Sequence, residues 1–361
     1  MRLFQNAGLY PSYRPRLNAL SGNATGFEER RRVFLDDRFG ALHILKPVLD
    51  NDPRTFFTTG DNEILQRQWA RENGLNPNLS LENILLAQIE HHQTEVLYNL
   101  DPIRYPSAFV RKLPGSVRKS ICWRGVPSHA DLTAYDAVLA NFPSVLESWR
   151  RKGCRAEWFA PAIDPIMDQY GDGERPIDVL FVGGYSRYHS SRAQVLQKVA
   201  GLSSTRQVVF RLDASRLTRL AESALGRLLP LRKHRRPPNV ASIASAPVFG
   251  RQLYELIGKS KIVLNGAIDT TGEDRGNMRC FEAMGCGALL MSDAGNYPDG
   301  MAENETMMVY RSGKDCVEQI ERCLVDWPNP RKIAEAGRKQ IKQLYAKEHQ
   351  WASFEALVAR L

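Results

Sequence analysis

Arg279 and Glu282 stand three residues apart in the segment Asp274–Asp293, DRGNMRCFEAMGCGALLMSD. At that spacing they share one face of a helix. A carboxylate there suits two ribose hydroxyls, and an arginine one turn earlier suits a diphosphate. The same pair also reads as an ion pair internal to the helix, with no ligand involved. The segment itself divides into a polar loop, a short helix over Met278–Met284 stopped by Gly285 and Gly287, and an apolar strand over Ala288–Met291. Asn277 is positioned to cap the helix by accepting from a free amide of its first turn. Phe281 and Met284 fall on another face, suited to a core. A second chemical feature is FVGG, 181–184, at the end of an apolar strand. Gly183 and Gly184 let a phosphate approach the backbone, the helix start beyond them offers free amides, and Arg187 and Arg192 add charge. The same glycines also describe a tight strand-to-helix turn, and no GxGxxG fingerprint is present.

The elements that must hold these residues alternate between strand and helix. In the first half, strands are predicted at Arg2–Asn6, Thr55–Thr59, Glu95–Leu100, Lys119–Trp123, Asp136–Ala140 and Glu157–Phe159. Helical patterns lie between them, among them one long helix over Phe27–Leu49. Residues 161–176 hold three prolines and two glycines without a clear period and read as a linker. The alternation then restarts, with strands at Asp178–Val182, Gln207–Leu212 and Lys261–Asn265, a helix over Ala214–Leu229, and helices from about Lys314 to the end. The pattern predicts a parallel α/β architecture of two Rossmann-like domains, 1–160 and 177–361, with a ligand cleft between them.

Composition bounds the function. The 361 residues are 43% hydrophobic and 25% charged, as in a globular protein, and enough for two cores. No apolar run approaches the roughly 20 residues needed to span a bilayer. The N-terminus, MRLFQNAGLY, lacks the apolar core of a secretory signal, so a cytoplasmic protein is expected. Six scattered cysteines without a CxxC read as reduced core residues. The net charge of +9 is local: residues 187–236 carry 12 Lys/Arg against Asp213 and Glu222. That patch implies an anionic partner, whether phosphate groups, an acidic membrane or nucleic acid, or else a solvated face. Asp50-Asn51-Asp52 matches a metal-binding DxD in form but precedes a proline, so a turn is expected, and no metal site is assigned.

The FEAMGCGALLMSD segment resembles the nucleotide-sugar motif of GT-B glycosyltransferases. The likeness is to the group 1 retaining enzymes and their spore-maturation-protein-like relatives, where R-x-F-E-A-x-x-C-G-A recurs. The resemblance covers about residues 177–300. It implies that Glu282 holds the ribose, and that Asp274 stands where the family carries a first glutamate toward the donor sugar. It further implies diphosphate contacts from Gly183, Gly184 and Arg187, and base contacts around Val248 in SAPVFG, 245–250. Asn277, Arg279 and Phe281 complete the implied donor set, and no cofactor beyond the nucleotide-diphosphate sugar is implied. An inverting member of the fold also needs a proton acceptor in the first domain, for which His129, Asp131 and Asp101 stand in loops after predicted strands.

The expectation is therefore a metal-independent glycosyltransferase. It moves a sugar from a nucleotide-diphosphate sugar to a hydroxyl of a glycan, lipid-linked or small-molecule acceptor. Its basic segment LRKHRRPP, 231–238, is placed to touch an anionic membrane. The rival readings are a nucleotide-sugar epimerase or hydrolase of the same fold and a basic nucleic-acid-binding protein. The latter is disfavoured because the aromatics near the patch form no recognised motif.

Overall fold

The computed structural model describes residues 1–185, 190–226, 230–266 and 272–361. The chain forms two compact units. One comprises Met1–Asp164, residues 272–274 and Tyr345–Leu361; the other comprises residues 165–266 and Arg275–Leu344.

In the first unit, strands β1 (Leu3–Ala7), β2 (Thr55–Thr59), β3 (Val96–Asn99), β4 (Lys119–Trp123), β5 (Ala137–Ala140) and β6 (Ala156–Trp158) form one sheet in the order β2-β1-β3-β4-β5-β6. Every pairing is parallel, with Leu3 opposite Val96 and Ile121 opposite Ala137. Strands β1, β3 and β5 are buried along their whole length, as a parallel sheet covered on both faces requires. The predicted long helix breaks into Phe27–Asp37, a single tight turn at Ala41–His43 and a short helix at Lys46–Leu49. Arg38 and Gly40 adopt left-handed backbone, with φ of 65° and 66°, which no continuous helix contains.

The second unit repeats the scheme. Strands β7 (Ile177–Gly184), β8 (Val208–Asp213), β9 (Ala244–Ser245), β10 (Ser260–Leu264), β11 (Leu289–Asp293) and β12 (Met308–Tyr310) lie in the order β12-β11-β10-β7-β8-β9, again all parallel. Of the predicted helix over 214–229, Arg216–Glu222 forms an α-helix, and 227–229 lie outside the described residues. Ser215 caps its start, and Gly226 lies so close to its end that a Cβ there would meet the Leu220 carbonyl. A helix at Pro238–Ile243 and the two-residue β9 form in a stretch to which the sequence pattern assigned no element.

The predicted linker holds a tight helical turn at Pro165–Tyr170. The last helix, Lys347–Arg360, groups with the first unit instead of the second. Phe354 is fully buried with its ring 5.1 Å from that of Tyr98. The Nζ of Lys347 donates to the carbonyls of Ala41 (2.6 Å), Leu42 (3.2 Å) and Ile44 (2.7 Å) and to Oε1 of Gln350 (3.1 Å). Burying an ammonium is costly unless every proton finds an acceptor, and here four acceptors surround it. All six cysteines are buried and unpaired by disulfides, as their spacing predicted.

Candidate functional site

In open parallel sheets, ligands bind beyond the carboxyl ends of the strands where the winding direction reverses. In the second unit the chain winds outward from β7 through β8 to β9, then returns to lay β10 on the other side of β7. The reversal therefore lies between the ends of β7 and β10, which carry Gly183-Gly184 and Asn265-Gly266.

The glycines lie inside the strand, pairing with Leu212 and Asp213, beyond the predicted end at Val182. A Cβ on Gly184 would meet no described atom within 4 Å, so its backbone stays open to a ligand. On the other side Asn265 is buried and fastens three elements. Its amide N–H donates to the Met291 carbonyl at 2.8 Å, and its Nδ2 donates to Ser292 Oγ at 3.0 Å. Its Oδ1 accepts from Nδ2 of Asn277 at 3.2 Å, while Tyr310 donates to its carbonyl at 2.8 Å. Arg192 donates to the carbonyl of Gly266.

The helix Met278–Gly285 begins at this knot. Asn277 occupies the position before the first turn, but its side chain makes no cap. Its Nδ2 donates to Asn265 and its Oδ1 accepts from Cys280 Sγ at 3.6 Å instead, which corrects the capping expectation. Arg279 and Glu282 form the anticipated ion pair, Nη1 to Oε2 at 2.6 Å. Glu282 is 7% exposed, and burial raises the pKa of its carboxyl against the opposing pull of Arg279. Phe281 is wholly buried, so it packs the core behind this face and holds the helix down. Val248 is buried just before the helix Gly250–Gly258. Arg187 lies outside the described residues. Beside the knot, Arg275 pairs with Asp293 at 2.8 Å.

Asp274 is engaged elsewhere. Its Oδ2 accepts from the backbone N–H of Ser144 at 2.6 Å, in the first turn of the helix Pro143–Arg150, where a carboxylate meets free amides and the positive end of the helix dipole.

Of the three loop residues weighed as proton acceptors, His129 and Asp131 differ. His129 is exposed in the loop after β4. Asp131 is exposed as well, but its Oδ1 accepts from Ser107 Oγ (3.0 Å) and from both N–H (3.0 Å) and Oγ1 (2.6 Å) of Thr133. These bonds, those of Thr133 foremost, lower its pKa to about 2, which makes it a weak base and a strong loop fastener. The DxD is a turn: Asn51 has a φ of 55°, and Asp52 accepts from the Arg54 amide at 2.8 Å. Among the described residues no group of three His, Cys, Asp or Glu side chains is placed to hold a metal ion. No helix among them is long and apolar enough to cross a membrane.

Along the sequence Asn265 was only the last residue of a predicted strand, with no role of its own. Its signal was a polar side chain closing an apolar strand. A cavity lined by Arg175, Lys261, Gly287 and Arg338 lies at the opposite, amino end of the second sheet. There the Arg175 guanidinium is spent on four carbonyls, those of Gly171, Ile257, Ser260 and Cys286, which marks a structural clamp.

Known proteins share this fold. Residues 219–356 match the model of a family described as glycosyl transferase-like. No curated protein matches the chain by sequence. Among solved structures, HepE of Anabaena in complex with UDP-glucose is similar, with a TM-score of 0.61 at 11% identity over 99% of each chain. Sucrose-phosphate synthase of Thermosynechococcus elongatus is similar with a TM-score of 0.53 at 13% identity, over 100% of this chain and 99% of the other. A mutant of TarM of S. aureus, in complex with fondaparinux, α-GlcNAc-glycerol and UDP, matches with a TM-score of 0.55 at 9% identity, over 77% of this chain and 59% of the other. The GT-B fold expected from the sequence is thus the fold observed.

Proposed function

We propose that this chain, a glycosyltransferase of the group 1 type on a GT-B fold, moves a sugar from a uridine-diphosphate sugar to a hydroxyl of a glycan, lipid-linked or small-molecule acceptor. The observation that carries the donor assignment is the buried Arg279–Glu282 pair, in a helix fastened to the reversal point of the second sheet. The complex of HepE with UDP-glucose supports the same class of donor.

In this reading the nucleotide enters over Gly184, and its diphosphate meets the open backbone there and the guanidinium of Arg279. Glu282 exchanges its partner for the ribose hydroxyls. Charge developing on the leaving diphosphate is met by arginines and helix-start amides, with no metal required. Val248 and the backbone around it face the base. Asp274 contributes by anchoring its loop on the helix Pro143–Arg150, with contact to the donor sugar as its further role. The first unit binds the acceptor, and His129 in its exposed loop takes the proton where the reaction inverts.

The basic segment supports peripheral contact with an anionic membrane at the cytoplasmic face. Arg216, Arg219 and Arg232 are exposed there beside exposed Leu217, Leu220 and Leu225. Arg235 and Arg236 are committed internally, the latter to Glu222 at 2.5 Å.

Glu282→Gln is the test. Calorimetry with UDP is expected to show at least about tenfold weaker binding, the loss of a charge-assisted pair of hydrogen bonds, with the circular dichroism spectrum unchanged. Unchanged UDP affinity overturns the assignment.

A further inference from the structure

The first sheet has its own reversal point. The chain winds from β1 to β2 on one side, then crosses to place β3, β4, β5 and β6 on the other. The crevice expected of such a sheet lies beyond the carboxyl ends of β1 and β3. The loops that leave β1, β3 and β4 there carry Tyr10, Asp101 and Arg124.

Arg124 is half-buried, and its Nε is sealed from solvent without a hydrogen-bond partner. Among the described residues none pairs with its guanidinium; its backbone alone is engaged, donating to the Leu139 carbonyl at 2.8 Å. Burial lowers its pKa, while the nearby Asp101 and Tyr10 pull the other way. This contrasts with Arg14, which at the same edge is satisfied by Asp61 at 2.5 Å. A partly desolvated guanidinium whose Nε lacks a partner costs stability, and an arriving anion offsets that cost.

Asp101 sits beside it and is held in place. Its amide donates to Oδ1 of Asn99 at 3.0 Å, and Asn99 in turn bonds Asn6 and Tyr135. A Cβ on Gly8 would lie 2.9 Å from Asp101 Oδ2, so the β1 loop passes against this carboxylate only because residue 8 has no side chain. Half-exposed Arg104 approaches the same carboxylate at 3.4 Å. Burial and the neighbouring Asp61 raise the pKa of Asp101. Tyr10, 54% exposed, adds an aromatic face braced edge-on by Phe39 at 5.4 Å.

We infer that this crevice binds a hydroxylated substrate bearing a carboxylate or phosphate, with Arg124 taking the anion, Asp101 accepting from a hydroxyl and Tyr10 covering a sugar face. The inference rests on the glycosyltransferase reading for its context and adds that the acceptor is anionic. A planar guanidinium holds a carboxylate or phosphate through two parallel bonds, which a neutral sugar cannot match. The anion has two sources, a group on the acceptor or the diphosphate of the donor.

Calorimetry on the full chain separates them. Wild type and Arg124→Gln are first titrated with UDP, then, at saturating UDP, with glucuronate, glucose 6-phosphate and glucose. The expected result is unchanged UDP affinity in the variant. Wild type should prefer at least one anionic sugar over glucose by about tenfold or more, and the variant should lose that preference. Arg124→Lys should restore part of it, which a merely structural arginine would not allow. If the variant instead loses UDP affinity, the anion is the donor diphosphate and the acceptor assignment falls. Equal binding of glucose and its anionic counterparts, or no binding of any of the three, overturns the inference outright. Failure of the donor reading shows separately, as absence of UDP binding in wild type.

Discussion

The two sheets share six parallel strands and one reversal of winding, yet their reversal points are furnished differently. In the second unit the edge is made largely of glycine backbone and neutral amides, Gly183, Gly184, Asn265 and Asn277, and its described charges are engaged, Arg279 with Glu282, Arg275 with Asp293 and Arg192 with the Gly266 carbonyl. In the first unit the edge carries charged side chains directly, Asp61, Asp101 and Arg124, on a lattice of buried asparagines. Backbone donors and a helix start suit a diphosphate, whose oxygens are many and similar. Separate charged side chains suit a ligand recognised group by group. The same topology thus supplies two kinds of site, and the difference lies in the few residues at the strand ends.

Variants that disturb one edge should leave the other intact. The largest effect is expected from Lys347→Met in the first unit. It strips three buried carbonyls and Gln350 of their donor and should lower unfolding free energy by about 3 kcal/mol or more, read from urea denaturation. UDP affinity of the folded variant should match wild type; a fall would break the separation between the two edges.

Acid should act on the first unit next. His43 is buried against Trp123, with ring centroids 4.2 Å apart, and burial together with Lys347 lowers its pKa to about 3. Below the ordinary histidine value the unfolded chain takes up a proton that the folded chain refuses. Stability therefore falls as pH drops from about 6.5 toward 3, by about 1.4 kcal/mol per unit from this group. His43→Phe, which keeps a ring, should flatten that slope in urea midpoints collected between about pH 7 and pH 4.5.

At the second edge, Asn265→Ala leaves Asn277 and Ser292 without their partner. A loss of about 2 kcal/mol is expected, with UDP binding weakened because the helix start is no longer fastened. Retained UDP affinity would mean that the knot serves stability alone. The smallest effect should come from Asp131→Asn, below about 1 kcal/mol in a thermal melt, with transferase turnover retained. Loss of turnover at constant stability would make Asp131 a proton acceptor after all.

Much of the scaffold was legible because it depends on local pattern. Apolar runs bounded by turn residues located the longer strands, and Ser80, which accepts from the Asn83 amide at 3.1 Å, caps the helix Leu81–His91 as its residue type favours. The Arg279–Glu282 pair followed from helical spacing alone. Errors fell where a distant partner outbid a local one. Asn277 forgoes its own helix for Asn265, 12 residues earlier. The helix expected over 27–49 fails at Arg38 and Gly40, whose left-handed backbone no hydrophobic period reveals.

The alternation of strands and helices, the glycine-bearing strand ends and the segment that resembles a nucleotide-sugar motif can all be read along the chain, because each is written in neighbouring residues. Strand order, and with it the two reversal points, emerges on folding. Folding also returns the last helix to the first unit, leaves the Arg124 guanidinium unpaired among the described residues and ties Asp131 into its loop. Strand order and side-chain pairing are settled by contacts between residues far apart in the chain, and no local window contains their competing offers.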